Sequence, residues 1–195
     1  MNQSILQNIA KHICLNPEEE NYFLGLLTFR HVPKKNFILK EGQACKHLSY
    51  IRSGACRVYY LDNRSRELTV KFALADSWVT DMYCFLNAKA ANLYIEAIDD
   101  TSIYQLSAAN TEKLLENVPK FERLFRILSQ NAYTREQFRA IENMSLSAEE
   151  RYDRFLERHP EVVQLATQKQ IASYLGITPE FLSALRREKM LKHIS

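Results

Sequence analysis

The segment QKQIASYLGITPEFLSALRR, residues 168–187, consists of two short stretches with helical apolar spacing that meet at one glycine. In the first stretch, Ile171, Ala172 and Leu175 fall on the same helix face. Gly176 follows this stretch and suits the left-handed residue that often ends a helix. The first half of the segment therefore predicts a short amphipathic helix with a glycine stop.

The second half of the segment predicts another helix at once. Thr178 is a suitable N-cap and Pro179 a suitable first helical residue. This helix would bury Leu182 and Leu185, and the small Ala172 would let the two helices cross closely. The segment therefore predicts a helix-turn-helix.

The outer face of the second helix carries a polar stripe, with Glu180, Ser183, Ala184 and Arg187 at positions i, i+3, i+4 and i+7. In a helix-turn-helix this stripe enters the major groove of DNA. Arg187, Glu180 and Ser183 have the chemistry to contact base edges. The other candidate DNA-binding residues, including those suited to phosphate contacts, are Thr167, Gln168, Lys169, Thr178, Arg186, Lys189 and Lys192.

An ordinary helical hairpin with a solvated face is the alternative interpretation of this segment. The charge balance leaves it open, because residues 145–195 contain eight Lys and Arg against seven Asp and Glu. Electrostatic affinity for DNA would be moderate for one copy, and a dimer would strengthen it.

Composition limits the remaining classes of function. The chain has 195 residues, 46% hydrophobic, with a net charge of +3, and four glycines are too few for a glycine-rich phosphate loop. Its four cysteines form no CxxC pair, which argues against a zinc or iron–sulfur site. No secretory signal or membrane-spanning run is evident, so we expect a cytoplasmic protein without a membrane partner.

Short β-rich runs occupy the region from Val32 to about Gln105, separated by turn signals. They are NFILK, HLSYIRSG, ACRVYYLD, ELTVKFAL, LYIEAID and TSIYQL. The segment RVYYLDNRSRELTVKF has the pattern of a hairpin with Asp62 and Asn63 in its turn. This spacing predicts an antiparallel barrel or sandwich.

Helical patterns flank the β-rich region. Residues 4–15 and 17–27 precede it, and residues 107–117 follow it. A long helix from Pro119 to about Asn143 carries an apolar stripe that either pairs with a second copy or packs on the barrel. Ser147 and Glu150 form a capping-box pattern for a further helix, which His159–Pro160 ends, so the domain boundary is expected near residues 143–147.

This order of parts, with the segment IASYLGITPEFLSALRRE and the EGQ and RSG turns, resembles the Crp/Fnr family of bacterial transcription regulators. The resemblance covers nearly the whole chain and implies an α+β fold. It comprises an N-terminal β jelly-roll, cyclic-nucleotide-binding-domain-like, in residues 1–118, a dimerisation helix in 119–144, and a DNA-binding winged helix in 145–195. The implied partners are double-stranded DNA, a second copy in a homodimer, RNA polymerase and an unknown small-molecule effector.

Two features of the helix-turn-helix depart from the family pattern. Glu180 matches the family's DNA-reading glutamate, but Pro179 and Ala184 stand where the family has arginine. We therefore expect a different operator sequence, with Arg186 or Arg187 as substitutes. Few residues follow the second helix to form the β wing.

The sensor region departs further. Family members that bind cyclic nucleotide have Gly-Glu for the ribose and Arg-Ser or Arg-Thr for the phosphate, whereas Ala91–Asn92 stands near the latter position here. A buried phosphate without a cation is costly, so we do not expect cyclic AMP to bind. The sequence indicates no cofactor, and the effector is unknown. The candidate effector-pocket residues are Trp78, Asp81, Tyr83, Ala91 and Asn92. Haem remains an open alternative with no supporting pattern, and Cys14 alone is too little for the family's iron–sulfur switch.

Nothing in the sequence indicates catalysis. The histidines are dispersed, at His12, His31, His47, His159 and His193, so a cupin-type metal enzyme is the weakest hypothesis. No nucleophile–base pair or paired carboxylate stands out. The main alternative to a DNA-binding regulator is a sensor or scaffold whose C-terminal domain binds protein.

Overall fold

The computed structural model describes residues 3–192. Two helices come first, α1 (Gln3–Ala10) and α2 (Pro17–Gly25). Helix α2 begins as the sequence predicts, because Asn16 and Glu19 form a capping box and Pro17 occupies its first turn. These helices cover one side of the β domain.

Eight strands and one short helix form the β domain. They are β1 (Leu27–Val32), β2 (Phe37–Leu39), β3 (His47–Ser53), β4 (Ala55–Leu61), β5 (Glu67–Leu74), β6 (Trp78–Val79), α3 (Met82–Leu86), β7 (Tyr94–Ala97) and β8 (Thr101–Ser107). The strands pair antiparallel in two four-stranded sheets. The first sheet has the order β1-β8-β3-β6 and the second β2-β7-β4-β5. The predicted jelly-roll fold is confirmed.

All six predicted strand runs are strands, and the β4–β5 hairpin turns at Asp62 as expected. One carboxylate oxygen of Asp62 accepts from the amides of Arg64 and Arg66, which fixes the turn. The sequence interpretation missed β1, β6 and α3. Strand β6 has only two residues, too few for a period-2 pattern to be visible.

The chain continues in helices, which are α4 (Ala108–Asn117), α5 (Lys120–Ser145), α6 (Ala148–Arg158), α7 (Pro160–Leu165), α8 (Gln168–Leu175) and α9 (Pro179–Lys192). Ser147 and Glu150 form the predicted capping box of α6. Helix α6 ends at Arg158, and Pro160 then begins α7, a short helix that the sequence interpretation did not include.

Three buried apolar clusters hold these parts together. One fills the space between the two sheets. The second joins the outer face of the first sheet to α1, α2, α4 and the start of α5. The third joins the outer face of the second sheet to α6, α7, α8 and α9, through Phe72, Ala55 and Ile98 on the sheet side. The C-terminal helices are therefore packed against the barrel.

The apolar stripe of α5 divides into two halves. Phe121 and Leu124 are fully buried in the second cluster, whereas Phe138 is 59% and Ile141 51% exposed. The first half of α5 is therefore packed on the barrel, as one of the two sequence interpretations expects, whereas pairing of the second half with another copy stays a prediction.

The expected winged helix is not present in the part of the chain that the structure describes. Residues 146–192 contain no strand, and α9 continues to Lys192. Residues 193–195, including His193, lie outside the described range.

Within residues 3–192, none of the helices has the length and apolar character needed to span a membrane.

Candidate nucleic-acid interface and effector region

The turn between α8 and α9 has the geometry that its sequence predicts. Thr167 caps α8 in a capping box with Gln170. Gly176 adopts the left-handed conformation, with φ 69°, and the amide of Ile177 donates to the carbonyl of Ala172 at 3.0 Å. The oxygen Oγ1 of Thr178 accepts from the amide of Phe181 at 3.2 Å. The angle between the two helices is therefore fixed by local hydrogen bonds.

Helix α9 has one buried and one exposed side. Leu182 and Leu185 are buried against Ile171, Ala172 and Leu175 of α8. On the opposite side the predicted polar stripe is exposed throughout, at Glu180, Ser183, Ala184 and Arg187. Four side chains on successive turns are thus accessible to a partner.

Several other candidate DNA-binding residues already have internal partners. The amide nitrogen of Gln168 donates to the carbonyl of Pro179 at 3.0 Å, which ties α8 to α9. Lys189 lies 2.7 Å from Asp153 and 3.2 Å from Glu149, and its hydrogen bond to Asp153 raises its pKa. Lys189 therefore joins α9 to α6, a role that the sequence interpretation missed because its partners lie more than thirty residues away. Lys169 is exposed and Arg186 is half-buried.

The five candidate effector-pocket residues do not surround one cavity. Asp81 is buried and caps α3, since its two carboxylate oxygens accept from the amides of Cys84 (3.3 Å) and Asn92 (2.9 Å). Ala91 is buried in the barrel core, whereas Tyr83 is 57% exposed. Trp78 packs outside the barrel, where its indole donates to Asn8 of α1. Asp81 is thus a structural cap, and Trp78 belongs to the packing of the N-terminal helices.

The C-terminal helices contact the edge strand β5 through polar groups. Oγ of Ser173 on α8 accepts from the amide of Thr69 at 2.8 Å and donates to the carbonyl of Glu67 at 2.6 Å. The guanidinium of Arg139 on α5 donates to the carbonyls of Val70 and Thr69. These bonds satisfy backbone groups that an edge strand would otherwise expose.

An aromatic cluster completes this contact between the barrel and the C-terminal helices. The ring of Phe72 lies 5.4 Å from that of Tyr174 and 6.2 Å from that of Phe155. His159 also joins it, 5.5 Å from Phe155 between ring centroids. Tyr174 of this cluster belongs to α8, and α9 packs on α8. The position of the exposed stripe on α9 therefore depends on how the cluster packs.

Acidic pH is expected to weaken the packing around His159. Burial and the charges of Arg158 and Arg135 lower the pKa of His159. The unfolded chain, with an ordinary pKa of about 6.5, then binds the proton more readily, so stability is complete above that pH and falls below it. When the pH falls from about 7.5 to about 5.5, the free energy of unfolding should decrease less in His159→Gln than in the wild type. Urea unfolding at each pH measures this difference.

The control is His31→Gln, because His31 is exposed on β1. This variant should keep the pH dependence of the wild type. If His159→Gln also kept it, His159 would not be the residue that titrates in the cluster.

Comparison with known proteins agrees with this architecture. Residues 29–118 match the family model of the cyclic nucleotide-binding domain. No curated protein sequence gives a match to this chain. A regulator assigned to the Crp/Fnr family from Eubacterium rectale superposes with a TM-score of 0.72 and 19% identity, over 91% of this chain and 85% of that one. The chain has the fold of the Crp/Fnr regulators.

Two further solved structures have the same fold, with TM-scores and sequence identities in the same range. The c-di-GMP-responsive global regulator CLP of Xanthomonas campestris gives a TM-score of 0.73 with 14% identity, covering 91% of this chain and 93% of that one. FixK2 of Bradyrhizobium japonicum gives 0.73 with 21% identity, covering 86% of each chain. At these identities the Crp/Fnr likeness establishes the fold and leaves residue roles to the chain's own geometry.

Proposed function

We propose that this chain is a homodimeric, sequence-specific DNA-binding regulator of transcription, in which α9 enters the major groove. The observation that carries the proposal is the exposed stripe on α9, which lies opposite a fully packed leucine face. A helix held in place by α8, with the side chains of Glu180, Ser183, Ala184 and Arg187 on its exposed side, has the form that major-groove recognition requires. The Crp/Fnr fold agrees with this reading.

The candidate DNA-binding residues would divide into two groups. Arg187 suits a guanine edge, Glu180 a cytosine amino group, and Ser183 either. Lys169 at the start of α8 and Arg186 would neutralise phosphates. Lys189 would contribute to phosphate binding only by leaving Asp153 and Glu149, so we assign it to the packing of α9.

Dimerisation is proposed through the second half of α5, with another copy of the chain as the partner. Tyr133, Phe138, Ile141 and Met144 are between 51% and 88% exposed there. Large apolar side chains repeated along an exposed helix are typical of an interface between helices. Two copies would place two α9 helices on half-sites about one helical turn apart.

The variant Ile141→Glu is expected to shift the chain from dimer to monomer, because it places a charge in the proposed apolar interface. Sedimentation or light scattering would then report a mass near the 22.8 kDa of one chain. Ala132→Glu is the matched control, since Ala132 is exposed and lies nine residues earlier, half a turn away on the helix surface. A wild type that is already monomeric at micromolar concentration would contradict the proposed dimer.

DNA binding itself is tested by a shift assay on the chain's own promoter region. Specific binding should survive at about 150 mM salt and weaken steeply above it, as expected for binding that releases counterions. Absence of binding at every salt concentration would count against the proposal.

One observation favours a second candidate function, binding of a protein by the C-terminal helices. Phe181 is 51% and Met190 67% exposed on α9. Exposed aromatic and methionine side chains are common in protein interfaces. Phe181→Ala and Arg187→Ala separate the candidates, because a DNA reader loses promoter occupancy mainly with Arg187.

A further inference from the structure

A cleft of about 400 Å³ opens between the two sheets at one end of the barrel. The first sheet contributes side chains from β1, β3, β6 and β8, and the second from β2 and β7. The loop from Gln43 to Lys46 forms its rim. The volume is within the range of small-molecule sites.

The cleft is lined by basic side chains, of which Arg30 and Lys46 carry the positive charge. Arg30, Lys46 and His47 line it, and no lining residue is acidic. In the part of the chain that the structure describes, no ion pair joins these three side chains to a carboxylate. The guanidinium of Arg30 donates to the carbonyls of Phe37 (2.9 Å) and Ile38 (3.4 Å), which holds it at the opening.

The surroundings of His47 disfavour its protonated form. Burial, followed by the charges of Lys46 and Arg30, lowers the pKa of His47. Strands β6 and β8, which flank β3, contain no Asp or Glu that would oppose this effect. The positive charge of the cleft therefore comes from Arg30 and Lys46, and no Asp or Glu lines the cleft to compensate it.

The remainder of the cleft is suited to an organic body. Leu39, Val79 and Ile95 provide an apolar floor. The amide of Gln105 donates to the hydroxyl of Ser49 at 3.2 Å, so both polar groups are held in place. Apolar walls with a few fixed polar groups are characteristic of ligand sites.

We propose that this cleft binds a small organic anion, with Arg30 and Lys46 holding its phosphate or carboxylate and the apolar floor holding its body. The site differs from the Asp81–Asn92 region, where Ala91 supplies no cation and the Asp81 carboxylate is occupied by backbone amides. It is independent of DNA binding by α9, since none of its residues lies in the C-terminal helices.

Two other clefts are also lined by basic residues, but each is less suited to binding an anion. In the cleft near Lys11 and Lys120, both lysines already pair with carboxylates, Lys11 with Asp76 and Lys120 with Glu19. The cleft between α5 and α6 has a volume of only about 30 Å³, and its Arg154 and Arg158 both bind Glu142.

The test uses amide NMR spectra of the full chain titrated with phenyl phosphate, which joins one anionic group to one apolar ring. We expect saturable shifts at residues 43–49 and at Gln105. Arg30→Gln should weaken binding roughly tenfold or more, as expected when a charge-assisted hydrogen bond is lost. Lys34→Gln, an exposed lysine outside the cleft with the same change of charge, should bind like the wild type.

Parallel titrations identify the chemistry. Tighter binding of benzoate than of phenyl phosphate would assign the site to carboxylates, weaker binding would assign it to phosphates, and equal affinity would show that the site recognises the negative charge common to both. Benzyl alcohol should cause no saturable shift. Phenyl phosphate shifts that fall outside the cleft, or that weaken equally in Arg30→Gln and Lys34→Gln, would overturn the proposal.

Discussion

The Arg187→Ala variant is expected to lose most sequence-specific DNA binding while keeping its fold. One bidentate contact to a base contributes about 1 to 3 kcal/mol of discrimination. A dimer carries two copies of Arg187, so the loss at a symmetric site is about 2 to 6 kcal/mol, or roughly 30-fold to more than 10,000-fold in affinity. Fluorescence anisotropy with a labelled operator at fixed salt measures this loss.

The control for this variant must remove the same charge elsewhere. Arg123→Ala serves, because Arg123 is exposed on the barrel end of α5, far along the chain from α9. It should lower affinity for specific and nonspecific DNA alike, and only slightly. If the two variants behaved identically, α9 would not be the element that reads the bases.

The second large effect is expected at Gly54, which joins β3 to β4 in the RSG turn. Its φ is +85°, and a Cβ atom there would lie 2.4 Å from the carbonyl oxygen of Asp100 and 2.7 Å from the Cα of Thr101. The left-handed conformation is strained for any residue that has a Cβ atom, and the short distances leave no room for that atom. We expect Gly54→Ala to destabilise the chain by about 3 to 5 kcal/mol, measured by urea unfolding.

Gly42 offers a matched comparison. Its φ is +79°, but an added Cβ atom meets nothing within 4 Å. Gly42→Ala should therefore show only the conformational cost, about 1 to 2 kcal/mol. Equal losses in the two variants would mean that the close approach to Asp100 is unimportant.

Local signals explain why much of the fold could be predicted. The capping box at Ser147 and Glu150, the left-handed Gly176 and the helix start at Pro179 each depend on residues within a few positions. The outward stripe of α9 follows from helix period once the buried leucines are identified. These parts of the candidate interface needed no long-range information.

Long-range contacts account for what the sequence did not reveal. Ser173 meets β5 across more than a hundred residues, and nothing near it indicates that partner. Trp78 was placed in an effector pocket because it lies near Asp81 in the chain, but the pleat turns it toward α1. The basic cleft combines residues of six strands and a loop, none of which is unusual in its own segment.

DNA recognition by α9 is tested most directly by selecting sequences from random double-stranded DNA with the full wild-type chain and sequencing the bound fraction. We expect enrichment of a two-fold symmetric site with half-sites about one helical turn apart, and loss of that enrichment with Arg187→Ala. A selection that yields no common sequence, or one enriched equally by the variant, would contradict recognition of DNA by α9.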